Sequence, residues 1–374
     1  MQIIIKILAR VNLILLSVTT LFLLCSCSKN EIESVSWRPT LLGDGWKVSG
    51  AREQGLDSNK INNLYNEANS LDNLYSLIVI KNGYLISEKY FNGKTVTDSS
   101  ATASVTKSIT SALAGIALNE GFIKSTDQKL TEFFPELDWE STDSRKSEIT
   151  LQQLLQMRSG YPWEESDGYL NKLFTTSAWI PFLIQFPLMH DPGTQFGYSN
   201  LTAHIMGIII ARSAKTSLKS FALKYLFDYI DVTIPNWPVD AYGYYFGMGD
   251  MYLRPRHMAK FGQLYLNHGN WNNKQVIPSE WITRSLQIYS PTTYSSDIHA
   301  HIHQLGYGFL WWSGISGNYH YNFAWGHGGQ MIVIIQELNM VIVTTAAPQP
   351  GFDNSAWQKE KAVMELVGRF IEQL

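Results

Sequence analysis

The sequence predicts an α/β chain of the α+β type: one antiparallel sheet drawn from both chain ends, flanked by helices, with a helical lobe inserted between them. Three observations carry this expectation. Residues 76–80 and 84–90 are β-rich runs around Lys81-Asn82-Gly83, and Asn-Gly between such runs signals a hairpin. Residues 331–335 and 340–345 are a second pair of apolar runs, separated by Glu337-Leu338-Asn339. The middle of the chain shows helical periodicity broken by loops.

Taken in order, the chain opens with a targeting segment. Lys6 and Arg10 precede an apolar run at 11–24 that is too short and too early for a membrane span. It ends Leu24-Cys25-Ser26-Cys27, which resembles the lipobox of bacterial lipoproteins. That resemblance implies a signal peptide at 1–26, lipidation at Cys27, a polar tether at 27–45 and a folded domain at 46–374. Cys25 and Cys27 are the only cysteines, so cleavage before Cys27 leaves no thiol for a disulfide, nucleophile or metal site in the domain.

Residues 104–119 form an apolar helical run ended by Gly121. Short helices are expected at 150–157, 201–214 (after Asn200), 253–267 (with a proline in its first turn) and 278–289. Strands are expected at 306–312 and 322–326, and an amphipathic helix at 355–374. The sheet lobe then comprises 46–118 and 303–374, and the helical lobe 119–302.

Composition excludes some classes. Of 374 residues, 45% are hydrophobic and 16% charged, which is globular and not disordered. A net charge of −3 offers no basic surface for nucleic acid. With 12 Trp, 19 Tyr and 17 Phe the chain has aromatics beyond ordinary core needs, the supply that a sugar, peptide or acyl cleft draws on.

Three segments carry chemistry. In Ser104-Val105-Thr106-Lys107 the serine and lysine lie one turn apart on one helix face. A serine hydroxyl needs a base within hydrogen-bond reach, and a lysine that loses its proton through burial can be that base. In Tyr198-Ser199-Asn200 a phenol near a lysine can move a proton, and the amide can bind the lysine or a substrate. In Gly326-His327-Gly328-Gly329-Gln330 the glycines let a substrate lie against bare backbone, and a nearby N–H can serve an oxyanion. Each also has an ordinary reading: a helix cap with a solvated lysine, a turn with an asparagine cap, and a glycine hairpin.

In this order, the segments resemble the penicillin-recognising serine hydrolase superfamily. The likeness is to its class C β-lactamase-related branch, with D-aminopeptidases, D-alanyl carboxypeptidases, esterases and nylon-oligomer hydrolases. Connecting text agrees, including Ile80-Lys81-Asn82-Gly83, Met258-Ala259-Lys260-Phe261-Gly262 and Tyr307-Gly308-Phe309-Leu310-Trp311-Trp312. The resemblance implies a β-lactamase/transpeptidase-like fold and an acyl-enzyme on Ser104. Lys107 and Tyr198 then manage the proton, and Asn200, His327 and Gly329 meet the substrate. The N–H groups of Ser104 and Gln330 form the oxyanion hole. No cofactor or metal is implied.

Two departures bear on the substrate. The third segment lacks the lysine usual in β-lactamases, and Gly328 stands where a hydroxyl residue is usual. Both changes weaken carboxylate recognition. The expected activity is hydrolysis of a small ester, amide or peptide. A β-lactamase or cell-wall peptidase, and a silent binding or scaffold lipoprotein, are the alternatives.

Other features have ordinary expectations. His299, His301 and His303 would share a face if extended, but the serine mechanism needs no zinc. Trp163-Glu164-Glu165-Ser166-Asp167 reads as a solvated acidic loop, or as a cleft edge that attracts an amine. Residues 242–249 could wall the cleft, and of Trp311 and Trp312 at most one faces it.

The expected location is the bacterial cell envelope, with the domain tethered through a membrane lipid anchor. Lysine followed by acids after Cys27 resembles a surface-export signal. Protease shaving of intact cells is expected to remove the domain, and complete protection would rule out surface display.

Overall fold

The computed structural model describes residues 37–175, 178–291, 301–349, 351 and 353–374. The signal segment with Cys25 and Cys27, the first part of the tether, and His299 lie outside the described residues. By contact the chain divides into Met1–Trp37 and Arg38–Leu374. Among the described residues, no helix is long and apolar enough to cross a membrane.

Nine strands form one sheet: β1 (Lys47–Val48), β2 (Leu74–Lys81), β3 (Tyr84–Tyr90), β4 (Ser290–Pro291), β5 (His303–Tyr307), β6 (Trp312–Ser316), β7 (Tyr319–Gly326), β8 (Gln330–Ile335) and β9 (Met340–Ala346). Their order is β1-β3-β2-β9-β8-β7-β6-β5-β4, antiparallel throughout except where β1 runs parallel to β3. The sheet therefore joins the two chain ends through the β2–β9 pair, in which Ile80 faces Val341 and Ile78 faces Val343. Asn82 adopts φ +54 and Gly83 φ +77, the conformation that the tight β2–β3 turn demands.

Among the helices of the described residues, those used below are α1 (Ser58–Ala68), α2 (Val105–Asn119), α3 (Leu151–Leu155), α4 (Asn200–Ala214), α5 (Pro255–Leu266), α6 (Ser279–Leu286) and α7 (Asn354–Glu372). α5 packs across β9, β8 and β2 on one face. On the other face α1 and α7 pack together, and the Tyr65 hydroxyl on α1 donates to Leu77 O at 3.0 Å. The strands between are apolar on both faces, as a sheet covered twice requires: β8 and β9 are buried along their whole length.

The architecture agrees with the expected α+β class, with three local differences. The run 306–312 is not one strand. β5 ends at Tyr307, Leu310 takes φ +58, and β6 begins at Trp312. The chain doubles back there because Leu310 N–H is drawn to Leu155 O at the end of α3. α5 and β4 fall within the segment expected as a helical lobe, yet both belong to the sheet layer. The amphipathic pattern of α5 reported a buried face without saying which surface buries it.

α2 and α6 touch so closely that a Cβ on Gly115 would stand 2.2 Å from Cγ of the buried Trp281. Gly115→Ala is therefore expected to cost about 1–3 kcal/mol by overpacking. Urea denaturation should show a lower midpoint, and an unchanged midpoint would contradict this close helix contact.

Candidate active site

The serine of the first motif stands at a short strand-to-helix turn. Residues Ser100–Ala101 pair with Tyr252–Leu253, and Thr102 N–H donates to Met251 O at 2.8 Å. Ala103 then takes φ +45, and Ser104 begins α2 as its N-cap. An N-cap serine ordinarily turns its hydroxyl back onto the helix. Ser104 does not, so its Oγ is left for another partner. Its N–H donates to no acceptor among the described residues, as befits the first turn of a helix, where such groups favour an anion.

That other partner is Lys107, one turn on. Its Nζ lies 2.9 Å from Ser104 Oγ, 2.7 Å from Asn200 Oδ1 and 2.8 Å from Met248 O. α2 is buried on every side from Val105 to Ala117, so the amine is only 1% exposed. Burial lowers its pKa to about 8, against the opposing pull of Glu165, Glu164 and Asp250. The three oxygens define what happens when the proton leaves. Asn200 Oδ1 and Met248 O can only accept, so they take the two remaining N–H groups. The lone pair then points to the Ser104 hydroxyl.

Asn200 is placed by its own helix. It opens α4, whose N-terminus is capped by Ser199 and by the fully buried Glu164. Glu164 accepts from Ser199 Oγ at 2.7 Å, Asn200 N at 2.8 Å and Leu201 N at 3.0 Å. Burial raises this carboxyl to about 7, while those three donors act to lower it. Met248 is placed by a buried set on the same helix. His204 Nδ1 accepts from Gly247 N–H at 3.2 Å, and its Nε2–H faces Asp240 Oδ2 at 3.2 Å. Gly247 O in turn accepts from Thr110 on α2 at 2.7 Å.

Ser104 opens on a cavity of about 240 Å³. Tyr198, Asn200, His327 and Gln330 line it. The Tyr198 ring centroid stands 4.9 Å from Lys107 Nζ, and the ring stacks on Trp312 at 5.6 Å. Of the two adjacent tryptophans, Trp312 lines the cavity and Trp311 is wholly buried.

The third motif departs from expectation in its glycines. Gly329 does not line the cavity. A Cβ there would lie 2.9 Å from Val363 of α7, so this glycine serves the approach of helix to hairpin. Gly326 meets protein backbone, with its would-be Cβ 2.4 Å from Thr102 O. The bare backbone is thus used to seat β7 against the nucleophile turn.

His327 reaches a doubly accepting environment. Its Nδ1 lies 2.6 Å from Glu360 Oε2 and its Nε2 lies 2.9 Å from Gly351 O. Burial disfavours its charge, but the bond to Glu360 and that residue's charge outweigh it, so the pKa is raised. Both ring nitrogens thus face acceptor oxygens, and His327 is paired with Glu360. Glu360 also accepts from Trp325 Nε1 at 2.6 Å and Gly328 N at 2.7 Å.

Sequence reasoning missed several of these groups. Glu164 was expected to be solvated, but it is buried because the uncapped N–H groups of α4 need an acceptor. Asp250 lines the cavity and Glu360 arrives from the far C-terminal helix, whereas Glu165 lies at the cavity, where the cleft-edge reading of 163–167 had it. Glu164 and Glu360 each meet partners more than thirty residues away, so no local pattern marked them. Among the described residues, no group of three or more His, Cys, Asp or Glu is placed to hold a metal. Of the histidine triplet, His301 instead meets Glu372 at 2.9 Å.

With this geometry in view, comparison with known proteins is decisive for the family. The family model described as Beta-lactamase matches residues 75–363. The chain belongs to the beta-lactamase family.

Among curated beta-lactamase-family relatives, Beta-lactamase-like protein 2 of Dictyostelium discoideum is 23% identical over 212 residues, covering 49% of this chain and 38% of its own length. Protein flp of Staphylococcus aureus is 26% identical over 156 residues, covering 39% and 31%. The chain thus spans well under half the length of these relatives. Among solved structures, a Bacillus anthracis protein assigned as a 6-aminohexanoate-dimer hydrolase has TM-score 0.64 at 22% identity, covering 83% of this chain and 82% of that one. Simvastatin synthase of Aspergillus terreus has TM-score 0.61 at 13% identity, covering 85% and 100%. These likenesses establish a beta-lactamase/transpeptidase-like fold.

The Lys107 environment predicts a pH dependence. Below about 8 the amine carries a proton and cannot take the Ser104 hydrogen; above it, it can. Labelling of Ser104 by an acylating reagent should therefore rise with pH through about 8 and then level. A rate flat from about pH 6 to about pH 9 would exclude Lys107 as the base.

Proposed function

We propose that this beta-lactamase-family protein is a serine hydrolase that cleaves a small ester or amide through an acyl-enzyme on Ser104. The observation that carries this reading is the 2.9 Å contact between Ser104 Oγ and a buried lysine amine held by two carbonyl oxygens. Neutral Lys107 takes the hydroxyl proton as Oγ attacks the carbonyl carbon. The oxyanion is stabilised by the N–H groups of Ser104 and Gln330. The bond to the leaving group then breaks, and that group takes a proton relayed from Lys107 through Tyr198. Water attacks the acyl-enzyme, the same groups remove its proton, and the acid leaves with Ser104 restored.

The cavity favours this reading over a β-lactam or a peptide with a terminal carboxylate. Among the described lining residues the only basic side chain is His327, and it is already paired with Glu360. A side chain on Gly328 would place its Cβ 2.9 Å from Ala347 O, so the usual hydroxyl residue has no room. The same site argues against a silent scaffold, because a buried amine beside a serine costs desolvation that a scaffold has no use for.

A fluorophosphonate probe is expected to label the wild type and not Ser104→Ala. Lys107→Ala and Tyr198→Phe should each lower turnover of a nitrophenyl ester about 10²-fold or more while keeping a native circular dichroism spectrum. Equal labelling of Ser104→Ala, or near-normal turnover in both other variants, would overturn the assignment. Rapid turnover of nitrocefin in preference to the ester would move the protein to the lactamases.

A further inference from the structure

The loop that carries Met248 is gripped from two sides at the residue before it. Gly247 O accepts from Thr110 on α2 at 2.7 Å, and Gly247 N–H donates to His204 Nδ1 on α4 at 3.2 Å. The loop backbone also lies hard against α4. A Cβ on Gly247 would stand 2.8 Å from Ala203 O and 3.1 Å from Gly207 Cα. A shift of Gly247 therefore carries the next carbonyl with it, and that carbonyl, Met248 O, takes one N–H of Lys107.

The bond from Gly247 sets a condition on the histidine. A backbone N–H can only donate, so Nδ1 of His204 carries no proton. The ring is wholly buried, and burial outweighs the pull of Asp240 and lowers its pKa. The neutral ring then holds its one proton on Nε2. An isolated imidazole has no such fixed choice, and here Asp240 makes it. Its side chain is also fully withdrawn from water, and Oδ2 faces Nε2 at 3.2 Å. Oδ1 is occupied by two backbone donors, Tyr242 N–H and Tyr244 N–H, each at 2.9 Å. The loop thus orients its own carboxylate, and the oxygen presented to His204 accepts.

We propose that Asp240 and His204 are positioning residues for acyl transfer. The carboxylate locks the Nε2–H tautomer, the bare Nδ1 holds Gly247, and Gly247 presents the Met248 carbonyl to Lys107. The proposal rests on acyl transfer at Ser104 and adds what aims its base. Neither side chain lines the cavity, so both act through Lys107 and not on the substrate.

Asp240→Asn tests the lock with almost no change of shape. The two backbone donors keep the amide oxygen at the Oδ1 position, so the amide NH2 faces Nε2. His204 must then carry its proton on Nδ1, against Gly247 N–H, and the loop is pushed away. Turnover of a nitrophenyl ester should show kcat lowered about tenfold or more, with KM within about twofold of wild type. His204→Leu should do the same. His204→Gln should recover most of kcat, because its amide offers an acceptor and a donor spaced like the ring nitrogens. Nitrogen-15 spectra of the full chain labelled at its nine histidines read the tautomer without turnover, with His204→Gln identifying the signal. The wild type should show a bare Nδ1 and Asp240→Asn a protonated one. A protonated Nδ1 in the wild type, full kcat in Asp240→Asn, or a His204→Gln variant no better than His204→Leu overturns the proposal. A wild type that a fluorophosphonate labels at Ser104, with Asp240→Asn labelled as fast, refutes the positioning role alone; a wild type that it does not label removes acyl transfer itself and the role with it.

Discussion

The site is organised around one amine removed from water. Lys107 sits in a helix that is buried on all sides, and its Nζ is surrounded by three oxygens contributed by three different parts of the chain. Burial is the larger influence and draws the pKa down, while Glu164, Glu165 and Asp250 draw it up. The balance leaves the amine near the range where it can exchange a proton at ordinary pH. A wetter site would keep it charged, and a site without the two carbonyl oxygens would leave its lone pair undirected.

Much of the surrounding structure can be understood as support for that amine. α4 supplies Asn200 directly and, one turn later, His204, which holds Gly247 beside the Met248 carbonyl. Glu164 satisfies the start of the same helix, so the residue that binds the lysine is itself fixed by a buried acid. The sheet contributes from the opposite side. β7 presses against the nucleophile turn at Gly326, and α7 reaches over the sheet to pin the third motif through Glu360. The first and third motifs therefore share a cavity because the two ends of the chain share a sheet.

The charge distribution around the third motif bears on the proposed substrate. Where a free cation and a hydroxyl would hold an anionic group, this cavity has a histidine already paired with glutamate and a glycine with no space for a side chain.

Local pattern alone was enough for the Asn82-Gly83 hairpin, the apolar strands at 331–335 and 340–345, and the helix carrying Ser104 and Lys107, because turn chemistry and side-chain period act over a few residues. The ordered motifs also placed Ser104, Lys107, Tyr198, Asn200, His327 and Gln330 together in advance of any coordinates. The break at Leu310, the seat of α5 on the sheet, the burial of Glu164 and the pairing of His327 with Glu360 were not readable, since each depends on a partner far along the chain. Gly329 was taken for a substrate contact because a glycine carries no sign of what lies above its missing side chain, and here that is Val363. Sequence by itself determined the residue types able to carry out the chemistry and the elements that bear them. Only the tertiary structure decided which amine is dry, which acid is buried and which glycines touch protein, because desolvation and electrostatic balance are properties of packed surroundings and not of spacing.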